Sequence, residues 1–146
     1  MSHFDIIVIG AGPGGYAAAL LASQRGKTVA LIEKEHLGGT CLNWGCIPTK
    51  LYLGATAHLE GLHAQSRLRL CSGSVQMEMG ALKKRKNAFV TATHKAMGCC
   101  LDKHGVAMIQ GQASLLDKNT VRVIGETEQT LSFTTLIIAT GSSTNW

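Results

Sequence analysis

The stretch "FDIIVIGAGPGGYAAALLASQRGKTVALIE", residues 4 to 33, decides the fold. It begins with "FDIIVI", a short apolar run ending at Gly10, which has the length and composition of a buried parallel strand. In the "GAGPGG" that follows, Gly10, Gly12 and Gly15 fit the pattern G-x-G-x-x-G. The small-residue segment "YAAALLASQR" reads as a helix with Gly26 as its stop, and a second strand, "TVALI", ends at Glu33. A strand, a glycine turn, a helix and a strand ending in an acid predict an α/β fold built on a parallel sheet.

Each glycine of the turn has a mechanical reason. Gly10 permits the tight strand-to-helix turn, Gly12 lets backbone approach a pyrophosphate, and Gly15 lets helix and strand pack closely. Phosphates then sit at a helix N-terminus. Glu33 ends the second strand where a carboxylate accepts hydrogen bonds from ribose hydroxyls and repels a ribose phosphate. Glycine-rich turns also occur as plain structure, but this context favours a dinucleotide site. The motif by itself does not choose between NAD and FAD.

Just beyond lies "GGTCLNWGCIPTK", residues 38 to 50, with Cys41 and Cys46 five positions apart. On a regular helix that spacing separates Cα atoms by roughly 8 to 9 Å, whereas a disulfide wants about 4.4 to 6.8 Å. The two can bridge only where "LNWG" departs from helix, a departure that Gly45 makes cheap. Pro48 suits a first helical turn, and "TKLYLGATAHLEGLHAQ" continues in helix-like residues. Cys46 at a helix start, with Lys50 one turn on, is placed as an activated thiol. Structural zinc is the rival use of a cysteine pair, but Cys71, Cys99 and Cys100 do not form a second close pair of ligands, so no metal is expected.

The 146 residues, 45% hydrophobic and 16% charged, suit one compact domain and exclude a disordered chain. The formal charge of +5 is scattered except at Lys83, Lys84, Arg85 and Lys86, and no aromatics interleave with that run. A solvated helix face is therefore expected there, with no nucleic-acid partner. No basic leader or apolar span is evident, which predicts a cytoplasmic protein with no membrane contact. An odd count of five cysteines argues against a secreted disulfide framework.

Farther along, Leu82, Phe89, Met97 and Leu101 recur at helical spacing, predicting a long helix from Met77 to His104 that stops at Gly105. "VAMIQGQASLL", "NTVRVIG" and "QTLSF" are short β-rich runs expected to form an extra antiparallel meander. "TTLIIATGS" then reads as a separate buried strand ending in a glycine loop. His58, His63, His94 and His104 share no spacing with a carboxylate or cysteine, and Trp44 and Thr49 have no assigned chemistry.

Taken together, "GGTCLNWGCIPTK", "GAGPGGYAAA" and "LIIATGS" at 136 to 142 resemble the FAD-dependent pyridine nucleotide-disulphide oxidoreductases. Both glycines, both cysteines, Asn43, Pro48 and Lys50 match as a unit, and all three motifs fall in the family's order. Leucine after the first cysteine and isoleucine after the second resemble its dihydrolipoamide dehydrogenase branch more than glutathione or mercuric reductases.

The resemblance implies a Rossmann-like FAD-binding domain over residues 1–146, with a parallel sheet, flanking helices and a small antiparallel meander. It implies that Gly10, Gly12, Gly15 and Glu33 hold the ADP half of FAD, that Gly39, Thr40 and Lys50 border the cofactor, and that Lys50 stabilises charge on the reduced ring. Cys46 faces the flavin, and Cys41 exchanges with a dithiol or disulfide substrate such as lipoamide. Backbone around Gln112 and Ala113 lies against the adenine, and the loop of Ala139, Thr140 and Gly141 closes over the cofactor.

Complete enzymes of this kind add an NAD domain, a returning FAD segment and a dimerisation domain carrying a His-Glu pair. None of these is recognisable in the 146 residues, so the chain alone is not expected to turn over NAD-linked lipoamide oxidation, and its own oligomeric state is open. The alternatives are a glutathione- or mercuric-reductase-like enzyme and a truncated, catalytically silent FAD-binding module.

Overall fold

A computed structural model describes residues 2–73 and 76–143. In chain order the elements are β1 (Ser2–Ile9), α1 (Pro13–Gln24), β2 (Val29–Glu33), α2 (Gly39–Asn43), α3 (Cys46–Arg67), α4 (Met79–Lys103), β3 (Ala107–Gln110), β4 (Gln112–Leu115), β5 (Thr120–Ile124) and β6 (Glu128–Ile138). The sheet runs β3-β2-β1-β6-β5-β4. Its first four strands are parallel, and β6-β5-β4 is an antiparallel meander.

Successive side chains of a strand point to opposite faces, and here both faces are covered. From β1 and β2, Val8, Val29 and Leu31 pack against Ala19 and Ala22 of α1 and Leu101 of α4. Their neighbours Ile7, Ala30 and Ile32 pack against Val121 and Val123 of β5 and Leu131 and Phe133 of β6. Both apolar strands are therefore continuous rather than alternating, as burial on two faces requires. Ile7 and Leu31 are wholly buried, and each such side chain contributes about 1.5–3 kcal/mol by leaving water.

The meander becomes the second layer through one residue. β3 and β4 stand at opposite ends of the strand order, yet Gly111 alone separates them. With φ at +155° and its N–H donating to the Glu33 carbonyl at 2.9 Å, Gly111 turns the chain off the parallel edge and back over the sheet.

Two expectations are corrected here. "VAMIQGQASLL" is not one meander run but two strands, the first of which belongs to the parallel sheet. "QTLSF" and "TTLII" are a single strand, β6, since the pairing with β1 runs on across their junction, from Phe133 to Thr135 and beyond. The long helix is shorter than expected by two residues at its start and one at its end. Pro48 is the buried residue of α3 and Leu101 that of α4, so most of both helices faces solvent. Among the described residues, no helix is long and apolar enough to cross a membrane.

Candidate functional site

Three loops meet at the carboxyl ends of β1, β2 and β6, where an open α/β sheet places its ligand. The glycine turn is fastened to both neighbours: Gly10 N–H donates to the Ile32 carbonyl and Ala139 N–H to the Ile9 carbonyl, each at 2.8 Å. Gly10 has φ at +99°, and a Cβ there would overlap the Ala139 carbonyl oxygen. A Cβ on Gly15 would overlap the Gly10 carbonyl oxygen, so only glycines let α1 start this close to the strands.

The cysteine segment docks on that turn. Gly38 N–H donates to the Ala11 carbonyl at 2.8 Å, and a Cβ on Gly39 would lie 2.9 Å from the Gly12 Cα. Asn43 holds the short helix α2 from beneath, its amide donating to the carbonyls of Gly39 at 2.9 Å and Leu37 at 3.2 Å. Cys41 lies in α2, Gly45 breaks the helix, and Cys46 is the first residue of α3. That break is the departure from helix a Cys41–Cys46 bridge requires. A side chain at position 45 would crowd it, because a Cβ there would sit 3.1 Å from the Thr40 carbonyl oxygen and 3.4 Å from the Cys41 Cα.

Both cysteines are free thiols, Cys41 half-buried and Cys46 exposed. A hydrogen bond with the Cys46 thiol raises the Cys41 pKa above the ordinary thiol value, and partial desolvation adds to it, while the nearby Lys50 ammonium acts against both. The Cys46 thiol is thus near enough to Cys41 to alter its protonation.

The cleft between these loops measures about 1010 Å³. It brings together Gly10, Gly12, Glu33, Gly39, Thr40, Cys41, Cys46, Ala139, Thr140 and Gly141 from four separate parts of the chain. Gly15 is buried beneath it. Lys50 is exposed on α3, outside the lining. Gln112 and Ala113 also stand outside: Gln112 is exposed in β4, and Ala113 packs with the core beneath the meander.

Sequence reasoning missed His36 and gave Trp44 no role, yet both line the cleft, together with Lys34 and Glu35. No motif marks them. The only signal was their position between Glu33 and the second cysteine.

These residues fit a dinucleotide. α1 begins without a side-chain cap, so its first N–H groups and the helix dipole are free for a phosphate. Gly12 has no atom within 4 Å of where a Cβ would stand, leaving room for a ligand against its backbone. Glu33 is buried at 8% exposure. Its Oε2 accepts the Ala11 N–H at 2.7 Å and its Oε1 the Glu35 N–H at 2.8 Å. Each carboxylate oxygen keeps a second lone pair for a ribose hydroxyl.

A parallel sheet with a dinucleotide cleft ending on a cysteine pair has the parts of a nucleotide-dependent disulfide oxidoreductase. Residues 4–146 match the family described as pyridine nucleotide-disulphide oxidoreductase, and the chain belongs to it. Membership implies FAD binding. The dihydrolipoyl dehydrogenase of Staphylococcus aureus is 40% identical over 139 residues, covering 94% of this chain and 30% of that protein. That of Geobacillus stearothermophilus is 37% identical with the same coverage. A solved structure of the HOCl-induced flavoprotein disulfide reductase RclA from Escherichia coli, a cysteine-to-serine mutant in complex with Cu(II), superposes with a TM-score of 0.80 at 26% identity. It covers all of this chain and 30% of that one. The chain thus spans about 30% of the length of the relatives it matches.

Proposed function

We propose that this chain is the FAD-binding, redox-disulfide domain of a dihydrolipoamide dehydrogenase-like flavoenzyme. The whole reaction would be dihydrolipoamide and NAD going to lipoamide and NADH in a homodimer. The observation that carries the reading is the shared cleft: the uncapped start of α1 and the Cys41–Cys46 pair open into one space.

Gly12 and the α1 N-terminus would hold the diphosphate of FAD, Glu33 a ribose, and the Ala139–Gly141 loop would border the far wall. FAD, when bound, supplies the two-electron acceptor that a dithiol needs in order to return to a disulfide. The chain's own part is disulfide exchange. A substrate thiolate attacks the Cys41 sulfur of the closed pair, forming a mixed disulfide and releasing Cys46 as thiolate. The substrate's second thiol then attacks the mixed disulfide, leaves as the oxidised cyclic product and returns Cys41 as a thiol. Two electrons and one proton pass from substrate to the pair, leaving Cys41 a thiol and Cys46 a thiolate, and the proton lost in forming the attacking thiolate goes to solvent. The Lys50 ammonium, one turn along α3, acts to lower the Cys41 pKa.

The test is FAD absorbance of the loaded chain during titration with a dithiol, with unsubstituted protein beside Cys46→Ser. Dithiol-dependent bleaching that needs Cys46 supports the reading, and full bleaching by Cys46→Ser overturns it.

A second reading is a reductase of the glutathione or mercuric type, running electrons from NADPH outward. The likeness to RclA, solved with Cu(II), favours it. Comparing lipoamide, glutathione disulfide, Hg(II) and Cu(II) as acceptors in the full-length gene product separates the two.

A further inference from the structure

Two rings in the cleft belong to neither the glycine turn nor the cysteine pair. His36, in the loop after β2, and Trp44, the C-cap of α2, meet edge to face with centroids 5.3 Å apart and planes at 65°. Among the described residues, theirs are the only aromatic rings lining the cleft. The Trp44 main-chain N–H donates to the Thr40 carbonyl at 2.9 Å, which places residue 44 one turn beyond Thr40, with Gly45 and Cys46 following it in the chain. Despite that anchoring, 60% of Trp44 is exposed.

A bare indole beside glycines and small side chains presents an apolar plane to water. The phosphate-binding groups lie at the α1 end of the cleft and need N–H donors, whereas an indole face offers none and suits a planar ring. The ring that must come near Cys46 for electrons to pass is the isoalloxazine. His36 contacts the indole edge to face and limits its rotation.

We infer that Trp44, braced by His36, is a positioning residue for the flavin end of the bound dinucleotide, its indole packing against the isoalloxazine beside the cysteine pair. This inference rests on the FAD reading above. Base–aromatic contacts of this kind change affinity by about ten-fold when the ring is removed, and an indole against a flavin also quenches its emission.

The experiment measures FAD and ADP affinity, and the emission of bound FAD, for the full chain and for Trp44→Ala, Trp44→Phe and His36→Ala. The expected result for Trp44→Ala is FAD binding weakened by about ten-fold or more, unchanged ADP binding and brighter bound flavin. Trp44→Phe should recover most of the affinity, and His36→Ala should fall between the two. Unchanged FAD affinity and emission in Trp44→Ala overturns the inference while leaving the FAD reading standing, and so does an equal loss for ADP and FAD, which would place the indole at the adenine. An unsubstituted chain that binds ADP but not FAD overturns the FAD reading and this inference with it. Because Trp44 is largely exposed, its truncation leaves the core intact, and unchanged ADP binding in the variant reports that directly.

Discussion

The carboxylate of Glu33 accepts the N–H of Ala11 at 2.7 Å, fastening the last residue of β2 to the middle of the glycine turn. Its other oxygen accepts the Glu35 N–H at 2.8 Å, which also sets the start of the loop leading to the cysteines. One buried acid thus aligns the glycine turn with the start of the loop that leads to the cysteines.

Glu33→Gln tests that role. A glutamine has one acceptor oxygen where two N–H groups need one each, so its NH₂ faces a donor and one bond is lost. The expected cost is about 1–3 kcal/mol in urea unfolding, together with weaker dinucleotide binding. Unfolding indistinguishable from the parent chain would remove Glu33 from the alignment of the turn.

Gly12 and Gly15 should separate binding from folding. Gly15→Ala drives a methyl into the Gly10 carbonyl oxygen and should cost about 3 kcal/mol of stability. Gly12→Ala meets no atom within 4 Å, at a φ of −67°, so stability should stay within about 1 kcal/mol of the parent while dinucleotide affinity falls about ten-fold. Thermal melts with and without nucleotide read both. The reverse pattern would mean that the phosphates do not approach Gly12.

The Cys46 thiol is the main cause holding the Cys41 pKa above the usual thiol value. Removing it by Cys46→Ala should let Cys41 deprotonate at lower pH, with the Lys50 ammonium then unopposed by that hydrogen bond. The pH profile of Cys41 alkylation, followed by peptide mass, should shift to lower pH in the variant. A profile that stays put or moves upward would show that the two thiols do not interact.

Asp5 accepts the Thr28 N–H at 2.8 Å and its hydroxyl at 2.9 Å, joining the start of β1 to the chain entering β2. These bonds, the main-chain one foremost, lower its pKa below 3.8. A carboxyl with a lowered folded pKa adds stability above its unfolded pKa, and that stability disappears as pH falls through the folded value. Asp5→Ala should therefore melt below the parent at about pH 7 and converge with it near about pH 2. A gap as wide in acid as at neutrality would mean that charge is not what the pair contributes.

Much of the site was legible because its parts are local patterns. The strand, turn, helix and strand from Phe4 to Glu33 carry their periodicities within one short segment, and α1 and β2 appear where those periodicities place them. The cysteine spacing set a departure from helix as the condition for a bridge, Gly45 made it cheap, and the break lies there between α2 and α3. Gln112, Ala113 and Lys50 were placed at the site by resemblance and stand outside the cleft lining. Trp44 carried no local pattern, and its place on the cleft wall depends on how α2 docks against Gly12 and His36.

The amino-acid sequence by itself determined which residues could bind a dinucleotide and exchange disulfides, because turn geometry, helix starts and thiol spacing depend on neighbours a few residues away. Only the tertiary structure decided that β3 leaves the meander for the parallel edge, that β6 is one strand shared by two layers, and that Ala139 closes on Gly10. Those outcomes are contacts between segments up to more than a hundred residues apart. They are set by which apolar faces cover Ile7, Ala30 and Ile32, a competition that no local pattern in the chain records.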